Sequence, residues 1–125
     1  MVKKYVERLY ELLDNLKLIS SKTLKFEIKD FFSGAAAYAN GKIFMTLTPV
    51  GLAIKLPEEI REKLLKGGKV RKLRYFPKAP IKKDYVVLPK SMMDDLIILR
   101  YLAKMSINNI IKEEIIYKSW EDYCI

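Results

Sequence analysis

The stretch from Phe32 to Leu56, FSGAAAYANGKIFMTLTPVGLAIKL, restricts the fold more than any other part of the chain. Asn40-Gly41 sits at its centre with strand-forming residues on both sides. A two-residue type I′ hairpin needs positive φ at both turn positions, and Asn-Gly tolerates this best. Seven residues on, Thr48-Pro49-Val50-Gly51 supplies a second turn, with proline pre-set for position i+1. Three antiparallel strands are expected as a result, and they need helices to cover them.

Hydrophobic periodicity places those helices. Lys3 to Lys17 carries Val6, Leu9, Leu12, Leu13 and Leu16 at three- and four-residue spacing, which predicts an amphipathic helix ended by Ser20-Ser21. From Thr23 the period changes to two: Leu24, Phe26 and Ile28 alternate with Lys25, Glu27 and Lys29. The even-numbered phase continues through Phe32, Gly34, Ala36 and Tyr38. The reading is one strand of 17 residues, Thr23 to Ala39, with a bend or bulge between Asp30 and Gly34. Across Asn40-Gly41 the two-residue loop pairs Ala39 with Lys42, Tyr38 with Ile43, Ala36 with Met45 and Gly34 with Leu47. The other face then sets Phe44 and Thr46 against Ala37 and Ala35. Alanines on a sheet let a helix backbone come close, and a helix of the same chain is the expected occupant rather than a partner's.

Leu52, Ile54 and Leu56 form the third strand. Pro57 opens a helix with Glu58 and Glu59 in its first turn, and Gly67-Gly68 ends it. Val70 to Phe76 and Tyr85 to Leu88 read as a second hairpin, whose loop from Pro77 to Lys83 is held open and extended by two prolines. Pro89 stops the strand, and Ser91 to Asp94 resembles a capping box. The helix that follows, to about Met105, turns Leu96, Leu99, Tyr101, Leu102 and Met105 inward. Ile107, Ile110, Ile111 and Ile115 in the remaining tail again repeat at helical spacing. The fold class is therefore α+β: an antiparallel sheet in the order α-β(3)-α-β(2)-α, with a C-terminal helical tail. Residues 1–105 are the domain and 106–125 the tail, docked on the domain or shared between subunits.

The turns and strands in this order resemble those of a known family. Phe32-Ser33-Gly34, Tyr38 to Phe44 (YANGKIF), the strand Leu52 to Leu56 and Tyr85 to Pro89 match the pattern of the TfoX N-terminal domain. That pattern runs F-G-G-x-G-x-Y-x-D-G-x-x-F, then a strand, a helix and Y-x-x-P. The resemblance spans about residues 5 to 105 and implies a compact domain similar to the secretion-chaperone-like fold. Small residues replace some of the family's glycines at Ser33, Ala35 and Ala36. The family's two-domain competence regulators also carry a helical C-terminal domain that a tail of about twenty residues is too short to supply. A regulatory role, with competence and transcription as its setting, is what the resemblance implies, and it brings no catalytic motif.

Composition excludes several chemistries. The 125 residues contain no histidine and one cysteine, Cys124. Ser-His-Asp and Cys-His nucleophile activation are thus out of reach, and no soft metal site or internal disulfide can form. No GxGxxG or GxxxxGK accompanies the glycines. The acidic neighbours Glu58-Glu59, Asp94-Asp95 and Glu113-Glu114 point about 100° apart on a helix, so no pair shares a site. We expect no catalytic residue, no cofactor and no metal. No apolar run reaches a membrane span, and the N-terminus lacks the apolar core of a secretory signal, so a cytoplasmic protein is expected. Abundant lysine with no glutamine is a bias of heat-adapted proteins.

Charge placement is the feature with functional content. Of the net +9, residues 61 to 90 supply everything: they hold eleven basic side chains against Glu62 and Asp84. The other 95 residues are balanced at thirteen of each sign. A basic β-ribbon with a stiff lysine tip suits a phosphate backbone, and Tyr75 and Phe76 offer rings for bases to stack on. Arg71, Lys72, Arg74, Lys78, Lys82 and Lys83 are the expected contacts to nucleic acid or to an acidic protein surface. The alternatives are a protein–protein or self-associating module, with a homodimer through Ala35 to Ala37 or the tail, and a hairpin that is only solvated surface. On strand parity Tyr75 sides with Leu73 and belongs to the core.

Overall fold

The computed structural model describes the backbone of residues 2–16, 24–31 and 33–123, and the side chains of residues 4–16, 24–31 and 33–112. The helix stop at Ser20-Ser21, the strand start at Thr23, Phe32, and Cys124 lie outside the described residues, as do the side chains of Glu113, Glu114 and Ile115. Helix α1 (Val2–Asn15) leads into strands β1 (Phe26–Phe31), β2 (Gly34–Ala39), β3 (Lys42–Thr48) and β4 (Gly51–Lys55). Helix α2 (Glu58–Lys66), strands β5 (Arg71–Leu73) and β6 (Lys82–Leu88), the single turn α3 (Lys90–Met93) and helix α4 (Leu96–Tyr123) follow. All six strands join one antiparallel sheet in the order β1-β2-β3-β4-β6-β5. The α+β class and the antiparallel sheet are as expected.

The first strand differs in one informative way. The bend expected between Asp30 and Gly34 is a complete reversal: Phe31 pairs with Gly34, and pairing runs back to Phe26 against Ala39. The 17-residue strand is therefore a hairpin. A reversal of this kind switches parity, so Phe26 and Ile28 share a face with Ala39 and Ala37, while Tyr38 joins Glu27 and Lys29. The alanine strand hides this, because Ala35, Ala36, Ala37 and Ala39 are all fully buried and carry no polar alternation.

The Asn40-Gly41 turn is as the sequence predicts, with φ of 51° and 80°. Asn40 also ties the turn to β1: its amide donates to the Lys25 carbonyl (2.9 Å), and its Oδ1 accepts from the Lys25 amide (2.8 Å). The predicted register holds for Ala39 with Lys42 and Tyr38 with Ile43, then shifts so that Ala37 faces Met45, Ala36 faces Thr46 and Ala35 faces Leu47. Phe44 is the extra residue of a β-bulge, which lets Phe44 and Met45 both enter the core. The buried Ser106 hydroxyl of α4 donates a long, 3.5 Å hydrogen bond to the Phe44 carbonyl.

The sheet has two unequal sides. Its inner side presents Ala35, Ala37, Met45, Leu47, Leu52, Ile54, Val86 and Leu88 to Leu9 and Leu13 of α1, to Leu16 just beyond that helix, and to Leu99, Leu102, Ala103, Ile107 and Ile110 of α4. Helix α1 thus occupies the inner side of the alanine strand, as expected of a helix from the same chain. The α4 stripe corrects the sequence reading at two positions, because Leu96 and Tyr101 are exposed. The helix restarts after Asp95, whose Oδ1 accepts from the amides of Ile97 (3.1 Å) and Ile98 (3.2 Å). Asp95 is therefore the cap in place of the Ser91–Asp94 box. No break falls near Met105: α4 runs on to Tyr123, and Ser106, Ile107 and Ile110 belong to the core. Among the described residues no helix is long and apolar enough to cross a membrane.

Candidate nucleic-acid interface

Among the described residues no helix packs on the outer side of the sheet. Sequence alternation and pairing set a row across it: Lys29, Ala36, Thr46, Ala53, Val87 and Arg71. Its middle members are small, which leaves a trough. The segment from Arg74 to Ile81, between β5 and β6, folds across that trough and does not project as an open loop. Tyr75 fills it, sharing a 3.2 Å hydrogen bond with the Thr46 hydroxyl and packing its ring edge-on against Phe31, 5.4 Å between centroids. The Ala79 amide donates to the Phe76 carbonyl (2.9 Å), Arg74 Nη1 donates to the Ala79 carbonyl (3.0 Å), and Ala79 is buried. Pro77 and Pro80 by themselves favour an extended loop. Ala79 is buried and Tyr75 half-buried against the sheet, and these contacts, with the Tyr75–Thr46 and Arg74–Ala79 hydrogen bonds, hold the segment closed.

Tyr75 joins Leu73, Ala53, Val87, Val50 and Tyr85 in a second, small core. Burial raises the pKa of Tyr75, opposed by the Thr46 hydrogen bond and helped by Tyr38. Burial likewise pushes the Tyr85 phenol well above its usual value, with Tyr75, Asp84 and Tyr38 adding to the effect. Tyr75 packs half-buried against this cluster, on the side of Leu73 that strand parity predicts. Phe76, its neighbour, is 58% exposed.

All six expected contact residues are exposed. Arg71 and Lys72 lie on the edge strand β5, Arg74 and Lys78 on the strap formed by Arg74 to Ile81, and Lys82 and Lys83 at the start of β6. They are not equivalent. Arg71 Nη2 donates to the Val50 carbonyl (3.3 Å) and Arg74 anchors the strap, so both guanidiniums have structural work. Successive strand residues point to opposite faces, which sends Arg71 outward with Val87 and Lys72 to the other side with Val86. The cations surround one end of the sheet and do not line one plane. Asp84, the only carboxylate between Arg71 and Leu88, lies 3.7 Å from Arg61.

Beside that ion pair is a depression of about 230 Å³ where β4, α2, β6 and α4 meet, lined by Lys55, Glu58, Arg61, Asp84 and Asn109 among others. It escaped the sequence reading because its residues come from four separate elements. Two cations face two carboxylates there, so it has no net pull on an anion. No three described His, Cys, Asp or Glu side chains group as metal ligands.

Several of the positions that carry the family resemblance have a constrained backbone. A Cβ on Gly34 would lie 2.1 Å from the Leu47 carbonyl oxygen. Asn40-Gly41 holds positive φ, Phe44 occupies the bulge, and Pro89 precedes α3 in an extended conformation. A family model, TfoX N-terminal domain, matches residues 18–110. No curated protein and no solved structure matches the chain. The match covers about three quarters of the 125 residues, and the chain belongs to the TfoX N-terminal domain family.

Proposed function

We propose that this protein is a small, non-enzymatic regulatory or adaptor domain that contacts nucleic acid through the β5–β6 end of its sheet. The observation that carries the reading is the concentration of the whole net charge in residues 61 to 90, with Arg71, Lys72, Arg74, Lys78, Lys82 and Lys83 all exposed. Exposed Phe76 stands between Arg74 and Lys78 in sequence and offers a ring for an unstacked base. Family membership supports a regulatory role, with competence and transcription as its setting. Each phosphate neutralised releases counterions, so the logarithm of affinity falls by about 0.7 to 0.9 per contact for each tenfold rise in salt. Titration of single- and double-stranded oligonucleotides between low and physiological salt tests this. Charge reversal at Lys78, Lys82 and Lys83 reduces the slope, and Phe76→Ala weakens single-strand binding alone. No binding at low salt, or an affinity indifferent to the three reversals, removes the nucleic-acid reading.

A second reading, contact with a protein, draws on a different surface. Ile97 is 84% exposed and Tyr101 60% exposed on the first turns of α4, with Leu96 and Ile98 beside them. Contiguous apolar exposure of this kind marks interaction sites. Loss of a captured partner on Ile97→Asp, with oligonucleotide binding unchanged, favours it.

A further inference from the structure

We infer that the outer edge of β1 is a self-docking site, at which two copies pair β1 to β1 antiparallel about a two-fold axis through Ile28. The sheet has two edges. One is β5, three residues long, followed within eight residues by Pro77 and Pro80 and held by the strap. Short, proline-flanked edges resist strand addition. The other is β1, six residues without proline or glycine.

Hydrogen-bond parity decides which groups β1 offers. The Asn40 amide bonds the Lys25 carbonyl, and the Lys25 amide bonds the Asn40 side chain, so this is a hydrogen-bonded position of the β1–β2 ladder. Antiparallel ladders alternate, which makes Glu27 with Tyr38 and Lys29 with Ala36 the next such positions. Ile28 and Asp30 therefore aim their N–H and C=O groups away from β2, along the edge that pairs with no other described strand.

Charge selects the register. An axis through Glu27 or Lys29 sets like charges face to face, which destabilises a strand pair. An axis through Asp30 or Phe26 opposes two carboxylates or runs the pairing off the end of the strand. An axis through Ile28 makes Ile28 an outward hydrogen-bonding pair with itself, as the parity requires. It also sets Glu27 opposite Lys29 of the second copy twice, in the closely spaced type of pair. Both side chains are available for this, with Lys29 60% and Glu27 56% exposed and 3.5 Å from each other on the outer face. The same axis brings the half-buried Ile28 chains together at the margin of the main core. The contact is isologous and closes after two copies, giving one continuous sheet with a basic hairpin at each end.

Sedimentation velocity of the full chain, from about 1 µM to about 1 mM, tests the inference. A concentration-dependent dimer is expected. Glu27→Lys or Lys29→Glu alone turns two attractions into repulsions and weakens it about tenfold, and the double swap restores it. Asp30→Pro, at an exposed position whose N–H points outward, abolishes it while the thermal midpoint stays within a few degrees. Amide exchange at Ile28 and Asp30 slows as the dimer fills. A chain monomeric throughout overturns the inference. So does a dimer that ignores both single reversals and Asp30→Pro, or that dissociates on Ile97→Asp instead. Oligonucleotide binding is read separately and is unaffected by these outcomes, since it depends on the opposite end of the sheet.

Discussion

Gly34 is the position where one methyl group has the largest predictable effect. Its φ is not positive, so an alanine there bears no conformational penalty. The obstacle is steric: the new Cβ would sit 2.1 Å from the Leu47 carbonyl oxygen and 2.8 Å from the Thr48 Cα, where ordinary contact begins at 3.4 Å. Both neighbours are backbone atoms of β3, so no side chain can swing aside and the β2–β3 ladder itself must open. Overpacking typically costs 1 to 3 kcal/mol, and a clash with a paired backbone belongs at the top of that range, about 3 kcal/mol. Unfolding entropy near 2.1 cal/mol/K per residue gives about 0.26 kcal/mol/K for 125 residues. Gly34→Ala should then lower the midpoint by about 11 °C. Gly41→Ala is the matched control, with φ of 80° and nothing within 4 Å of its Cβ. It bears only the left-handed penalty of about 1 kcal/mol, or about 4 °C. Differential scanning calorimetry of both variants decides the matter. If Gly34→Ala loses no more than Gly41→Ala, close approach is not what requires glycine at residue 34.

Tyr75→Phe keeps the ring in the trough but deletes the hydroxyl bonded to Thr46, and should cost about 1 kcal/mol in urea unfolding. Tyr75→Ala also empties the trough and should release the strap, seen as faster amide exchange at Ala79. Tyr75 and Tyr85 have raised pKa values in the folded state, so the folded chain holds these protons more tightly than the unfolded chain. Their contribution to stability is complete below about pH 10, the ordinary tyrosine value, and is lost as pH rises from there. Tyr85→Phe should flatten the fall of the thermal midpoint above pH 10. Asp95→Ala removes the acceptor for two amides at the start of α4 and should cost about 1 kcal/mol, measured by chemical denaturation.

What could be read along the chain was local. The Asn40-Gly41 turn, the start of α2 after Pro57 and its end at Gly67-Gly68 depend on a few adjacent backbones. So do the amphipathic stripe of α1 and the concentration of charge in residues 61 to 90. In each, the residue type and the conformation that it favours are the same fact, and the sequence displays both. The basic side chains were found exposed because lysine and arginine are costly to bury wherever they fall.

The tertiary structure decided what depends on distant neighbours. Reversal at residues 31–34 was invisible because a strand of alanines has the same polarity on both faces. The bulge at Phe44 answers to the depth of the core under α4. Leu96 lies exposed as the first residue of α4, and Tyr101 falls about 200° around the helix from Leu99, off the buried stripe of Leu99, Leu102, Ala103, Ile107 and Ile110. The segment from Arg74 to Ile81 has the composition of an open loop, and it closes because Ala36, Thr46 and Ala53, from three other strands, leave a trough that Tyr75 fits. The sequence alone determined the family, the sheet's central turn and the sign of the charge. Which cations are free, which aromatic ring is exposed and which strand edge is left open were decided by parity and packing, and those arise only when residues far apart in the chain meet.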